Sequence, residues 1–240
     1  MIPLRDTVRP RSVSVINWVL IALNALVFVF EINLHPADLQ RLIYNFGLTP
    51  ARLHLANPLD PLWNPAVLLT FFTSIFLHAG WFHFLSNVWV LHIFGDNVED
   101  RMGAGRYLLF YLVSAIVANL IQALFFPSSQ SPTIGASGAI AGVMGAYFLF
   151  YPSARITTLI PIFLIPFFLE VPAVFFLGFW FISQLYSGFF SLGIPAGAQM
   201  GGIAWWAHIG GFVFGLGYAR IFFGTQRFYP RRFDDDYPLT

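Results

Sequence analysis

YLLFYLVSAIVANLIQALFFPSSQSPTIGASGAIAGVMGAYFLFYPSA, residues 107–154, contains no Asp, Glu, Lys or Arg, and the same holds for residues 12–30, 61–95 and 171–219. A helix needs about 20 mostly apolar residues to cross the hydrocarbon core of a bilayer. Runs of this length therefore hold more than one crossing, and their punctuation decides the fold. Within 107–154 the break is the turn cluster Pro127-Ser128-Ser129-Gln130-Ser131-Pro132. The whole chain agrees with this reading: 58% of its residues are hydrophobic and 10% charged, where a soluble domain carries about 25% charged residues. The sequence reads as an integral membrane protein that crosses the bilayer several times.

Six spans fit the punctuation. They are 15–30, closed by Glu31; a segment within 65–94; a segment within 107–126; a segment from Gly135 to just before Tyr151-Pro152; 167–186, with Pro161, Pro166 and Pro172 around its front half; and 202–223. Backbone in lipid must bond to itself, so runs this long are helices, and no alternating barrel pattern is present. The expected fold class is an all-α bundle of six transmembrane helices. It forms one domain, 15–223, between an N-terminal segment, 1–14, and a tail, 224–240. The first run is too long for a signal-peptide core and no small-residue cleavage site follows it.

The 12 basic residues are all arginine. An inward N-terminus places Arg5, Arg9, Arg11, Arg101, Arg106, Arg155, Arg220, Arg227, Arg231 and Arg232 inside, and leaves only Arg41 and Arg52 outside. That bias predicts a cytoplasmic N-terminus. The first outer connection, 32–64, is too long for a structureless loop. It mixes Leu, Phe, Tyr and Trp with few charges, as an element lying in the membrane interface does. The chain has no cysteine, which excludes disulfides and Cys-ligated metal. Its net charge of +1 implies no nucleic-acid partner, no His-Glu-x-x-His metalloprotease helix occurs, and no inverted repeat marks a transporter.

Polar groups at membrane depth are costly, and each is a candidate functional residue. The second span carries His78, His83 and Asn87, with Ser86 and His92 nearby; the fourth opens on Gly135-Ala136-Ser137-Gly138; the sixth carries Ala207-His208, then Gly211 and Gly215. Taken singly, a serine bonds back to its own helix and a histidine bridges two helices. Taken together, Ser137, His208, His83 and Asn87 fall at one depth, below the outer surface. The small pairs Gly138/Gly142 and Gly211/Gly215 let two membrane helices touch backbone to backbone, which brings Ser137 toward His208. A serine hydroxyl becomes a nucleophile when an adjacent base takes its proton, and histidine suits that role. Asn87 and His83, spaced i and i+4, offer N–H donors from one helix face, and a helix start at Ser137 adds free backbone N–H groups. Such donors suit a developing oxyanion.

The elements His83-x3-Asn87, Gly135-Ala136-Ser137-Gly138 and Ala207-His208-x2-Gly211-x3-Gly215 resemble the signature of the rhomboid family of intramembrane proteases. Residues 95–111, with Glu99, Gly103, Gly105 and Arg106, look like the family's connection between its second and third spans. The resemblance covers about 65–217, and the layout is similar to the basic bacterial form. It implies Ser137 as nucleophile, His208 as general base, and His83, Asn87 and the Ser137 N–H as the oxyanion hole. Gly135, Gly138, Gly211, Gly215 and His78 take supporting places. His78 lies five residues before His83, so on an ideal helix it would point away. With no Asp or Glu at the depth of His208, the expectation is a Ser–His dyad. The resemblance implies no metal or cofactor. It implies single-span membrane proteins as substrates, the lipid bilayer as surroundings, and a cell membrane, the bacterial inner membrane, as location. A related scaffold that binds membrane clients without cutting them is the alternative. The loop 187–202 suits a mobile cap and the fifth span a lateral gate. Relatives often carry Trp-Arg in the first outer loop, whereas here Asn64 follows Trp63, and Glu170 has no evident partner.

Overall fold

A computed structural model of the protein describes residues 1–60, 62–162, 165–193 and 202–224. In chain order its elements are β1 (Ile2–Asp6), α1 (Val15–Ile32), α2 (Pro36–Phe46), α3 (Thr70–Thr73), α4 (Trp81–Met102), α5 (Ala104–Phe125), α6 (Ser137–Phe150), β2 (Arg155–Ile162), β3 (Ile165–Pro172), α7 (Ala173–Ser191) and α8 (Trp205–Phe223). Short 3-10 turns occupy Pro50–Ala56, Pro65–Leu69 and Ser74–Phe76. Among the described residues, α1, α5 and α7 are long and apolar enough to cross a membrane, and Pro65–Phe76 with Trp81–Met102, bent by 81°, makes a fourth if it is one span. Helix α6 is shorter, at 14 residues.

The helices begin and end where charge and proline dictate. Pro127 follows α5 closely, Pro152 follows α6, and Pro172 stands immediately before α7. Each proline lacks the N–H that an interior helical turn needs. Helix α6 sits at the centre against α4, α5 and α8 and is buried on nearly every side, the mark of a core helix. By contrast, only 28% of the apolar windows of α1 and α7 is buried. Their outer faces, with Leu26, Phe30, Phe175, Phe179 and Ile182 exposed, are left to lipid.

Two expectations are corrected. The fold is not purely α: β1, β2 and β3 form an antiparallel sheet in that order. The fifth helix starts at Ala173 rather than 167, because residues 165–172 belong to β3. The segment Arg155–Pro172 is rich in Ile, Thr, Phe and Val, which fit a pleated strand, and its prolines cannot lie inside a helix. Pro161 and Pro166 face each other beyond Leu159, the last β2 residue that β1 pairs, so the N–H groups they lack cost little. Glu170 lies opposite Thr157 in this hairpin.

Polar side chains bind the bundle at its N-terminal end. Glu99 accepts from the Ile16 and Asn17 N–H groups at 3.1 and 2.7 Å, capping α1 from α4. Asn17 in turn donates to the Leu91 carbonyl at 3.2 Å and accepts from the Tyr107 hydroxyl at 2.8 Å. Asp6 accepts from the Tyr147 hydroxyl and, at 2.9 Å, from Asn97 Nδ2, so the N-terminal strand is fastened to α4 and α6. At the opposite end α2 and the Pro50–Ala56 turn occupy the first long connection. Asn64, which follows Trp63, caps the Pro65 turn by accepting from the Ala66 N–H at 3.1 Å.

The central contact is between α6 and α8, and it is made by backbone. A Cβ on Gly211 would collide with the Gly138 carbonyl, and one on Gly215 with the Gly142 carbonyl. A Cβ on Gly142 would lie 2.6 Å from Ser114 Oγ, so α5 closes on the same line. Gly217, on the open side of α8, has nothing within 4 Å. Gly211→Ala should therefore lower unfolding stability in detergent by about 1–3 kcal/mol, the usual cost of overpacking. Gly217→Ala should be neutral or slightly stabilising, because alanine favours helix. Equal melting temperatures for the two variants would contradict the packing.

Burial raises the Asp6 carboxyl to about 7, with the Tyr147 hydrogen bond opposing the shift and nearby Asp96 adding to it. A pKa raised on folding gives stability that is complete below the unfolded value, near 3.8, and is lost as pH rises through about 7. Stability should accordingly fall between pH 5 and pH 8, and Asp6→Asn should flatten that fall. An unchanged slope in thermal melts across this range would refute it.

Candidate active site

Ser137 is the first residue of α6 and His208 lies in the first turn of α8. The glycine contact sets these helices side by side at their starts, and His208 Nε2 stands 2.8 Å from Ser137 Oγ. Both residues are partly covered rather than sealed. The start of α8 is held from two sides: Gln122 of α5 accepts from the Ala207 N–H at 3.2 Å, and Trp206 Nε1 donates to the Gly188 carbonyl of α7 at 3.2 Å.

His83 and Asn87 come from α4 and approach the same place across Gly135. Gly135 has φ +115°, a conformation that L side chains rarely adopt, and its N–H donates to the Ser74 carbonyl at 2.9 Å. A Cβ at this position would meet His83 Nε2 at 2.5 Å and Asn87 Nδ2 at 3.5 Å. Glycine thus keeps open the space that both nitrogens line. The Ala79 N–H donates to His83 Nδ1 at 3.3 Å, so the ring proton sits on Nε2, the nitrogen facing that space. Asn87 Nδ2 is buried with no hydrogen-bond partner. An unpaired buried amide costs about 1–3 kcal/mol, and here it is one of the donors lining an unfilled space.

The sequence-predicted residues fall into place unevenly. Ser137, His208, His83, Asn87 and Gly135 converge; Gly138, Gly211 and Gly215 form the helix contact beside them. Ser86 is turned outward, its hydroxyl bonded to the His83 carbonyl at 3.0 Å. His78 departs from expectation. The chain bends between Phe76 and Trp81, so His78 is not on α4 at all, and its ring packs 5.2 Å from that of His83. Its N–H donates to both Glu31 oxygens at 3.1 Å, anchoring the bend to the end of α1. His92 lies elsewhere, against Trp18 and Trp89. Residues 194–201 of the loop expected to act as a cap lie outside the described residues, as do residues 225–240 of the tail. Among the described residues no His, Asp or Glu group is clustered to hold a metal.

One neighbour was missed from the sequence. Gln184 of α7 is 5% exposed and its Oε1 lies 2.8 Å from His208 Nδ1. The signal was present, because an amide within an apolar helix is a costly group that needs a partner. A carboxylate is not the only side chain that orients a histidine, since an amide oxygen accepts from the ring N–H as well.

Comparison with known proteins points to one family. Over 74 residues the chain is 42% identical to RHOMBOID-like protein 6, mitochondrial, of Arabidopsis thaliana, covering 31% of this chain and 24% of that one. Over another 74-residue match it is 42% identical to rhomboid protease GluP of Bacillus subtilis, covering 31% and 14%. A longer match, 147 residues at 29% identity, joins it to the mouse presenilin-associated rhomboid-like protein, mitochondrial, covering 60% and 35%. The matched segments thus span only a minor part of each relative. The family model described as the Rhomboid domain matches residues 65–225. That stretch holds the bent second segment, Gly135-Ala136-Ser137-Gly138 and the α8 glycines, and the chain is a membrane protein of the Rhomboid family.

Proposed function

We propose that the protein is an intramembrane serine endopeptidase that cuts peptide bonds in or near the membrane segments of other membrane proteins. The observation that carries this reading is the 2.8 Å approach of His208 Nε2 to Ser137 Oγ, beside the Asn87 Nδ2 donor, which has no acceptor of its own. Ser137 Oγ attacks the scissile carbonyl carbon while its proton passes to His208 Nε2. The carbonyl oxygen becomes an oxyanion, which accepts from Asn87 Nδ2, His83 Nε2–H and the Ser137 N–H at the free start of α6. His208 then protonates the leaving amine, and water, activated by the same base, releases the acyl group from Ser137. Donors fixed in place before the reaction need no reorganisation as charge develops. The name of the bacterial relative, a rhomboid protease, supports a proteolytic activity.

The same reading takes six spans, an inward N-terminus and a bacterial inner-membrane location. The arginines support the orientation. Thr7 bonds to Arg155 and Ser12 to Asp100, gathering the arginine-rich segments at one end. Arg41 and Arg52 lie with the first connection, which pairs with Ser129 and Thr133 near the start of α6. The site then opens toward the outer face, where a single-span substrate that unwinds exposes its carbonyls.

Ser137→Ala and His208→Ala should each abolish cleavage of a model single-span substrate by the detergent-purified protein, while leaving its melting temperature near wild type. A fluorophosphonate should label the wild type at Ser137 and neither variant, and millimolar chelator should leave turnover intact. Near wild-type turnover in either variant would refute the dyad, and a folded wild type that neither cuts nor labels would favour a client-binding scaffold.

Asn87→Ala should slow turnover by roughly 10²-fold, the cost of removing one oxyanion donor, with KM little changed. An unaltered kcat together with a lower melting temperature would assign Asn87 a structural role instead.

A further inference from the structure

We infer that Gln184 of α7 is a positioning residue for His208, selecting the imidazole tautomer that leaves Nε2 free to accept the Ser137 proton; this rests on the dyad reading above. The orientation of the amide is set from within its own helix. Gln184 Nε2 donates to the Trp180 carbonyl at 3.2 Å and to Ser183 Oγ at 3.0 Å. A carbonyl can only accept, so the NH₂ end must face it. Ser183 Oγ gives its own proton to the same carbonyl at 2.6 Å, leaving a lone pair for the amide. The Oε1 end is thereby turned to His208 Nδ1, 2.8 Å away.

An amide oxygen has no proton to give, so Nδ1 carries it. In a neutral imidazole the other nitrogen is then a bare acceptor, and Nε2 is the atom that faces Ser137 Oγ. The direction of every hydrogen bond from the α7 backbone to the nucleophile is fixed by one carbonyl. Gln184 supplies orientation without the full charge of a carboxylate. Its loss should cost less than the roughly 10⁴-fold seen when a triad histidine is held in the wrong tautomer. It should fall nearer the roughly 10- to 100-fold typical of partners that orient a functional histidine. Because the tether comes from α7 and not from α8, the base is aligned only while those two helices stay in register.

The test uses the full-length protein in detergent, with wild type compared to Gln184→Leu, Gln184→Met and Gln184→Glu. The Leu and Met variants should lower kcat by roughly 10- to 100-fold with KM and melting temperature near wild type. The Glu variant, which keeps an acceptor toward Nδ1, should recover most of that loss. In ¹⁵N-histidine spectra, with the His208 signals located by their absence in His208→Ala, wild type should show a single Nδ1–H tautomer and the Leu and Met variants a mixture. If the wild type labels at Ser137 but Leu and Met match it in kcat and tautomer, Gln184 has no positioning role and the dyad stands. A Glu variant no more active than Leu would also overturn the inference. If the wild type neither cuts nor labels, the protease reading fails and takes this one with it, whatever the tautomer.

Discussion

The close approach of α6 and α8 is the constraint on which the rest depends. Two helices carrying side chains at the contact would run 8–10 Å apart, too far for a short serine to meet a histidine from the neighbouring axis. Gly138, Gly142, Gly211 and Gly215 remove the side chains along the seam, so that carbonyls of one helix rest on the α-carbons of the other. In lipid there is no hydrophobic force to press helices together, and close van der Waals packing takes its place. The seam runs straight up to the two helix starts. The same glycines that hold the bundle therefore set the 2.8 Å distance between Ser137 and His208.

Around that seam the bundle is arranged in tiers of decreasing constraint. Helix α6 is enclosed, α4 and α5 are half enclosed, and α1 and α7 have most of their apolar surface outward. Several polar groups in the apolar layers answer to a partner on another element: Asn17 with Leu91 and Tyr107, Asn119 with Ser74, Gln122 with Ala207, Gln184 with His208. These are not spread evenly. Most tie helices at their ends, whereas Gln184 ties the peripheral α7 directly to the site. A helix with a loose outer face and few polar links inward is a natural place for the alignment of the base to be sensitive to lipid or substrate.

Asn87 and His83 show how far polar economy is relaxed at the site. Elsewhere a buried amide of this kind is bonded, as in Asn17 and Asn119. Asn87 Nδ2 is left with nothing, beside a glycine held at positive φ so that no side chain fills the gap. An unpaired amide beside a glycine that leaves the gap open is the cost of having a donor aimed before any charge appears.

Much of this was legible in the residues alone. Charge-free runs and prolines marked the helices, and α6, expected from Gly135 to before Tyr151, forms over Ser137–Phe150. The residues that converge were also legible, because a serine, two histidines and an asparagine are expensive in lipid and stand out against it. Other features depended on contacts that no local pattern announces. Residues 167–172 looked like the front of a span, yet they pair with β2, which in turn pairs with the N-terminal strand. His78 looked like a helical residue facing away, until the 81° bend turned it onto His83. Gln184 became a partner of His208 only through the placement of α7. Sequence determined which segments are apolar, where backbone must break, and which polar groups need a reason to be there. Tertiary structure decided which of those groups meet, because hydrogen bonds are made across distances that side-chain spacing along one chain does not define.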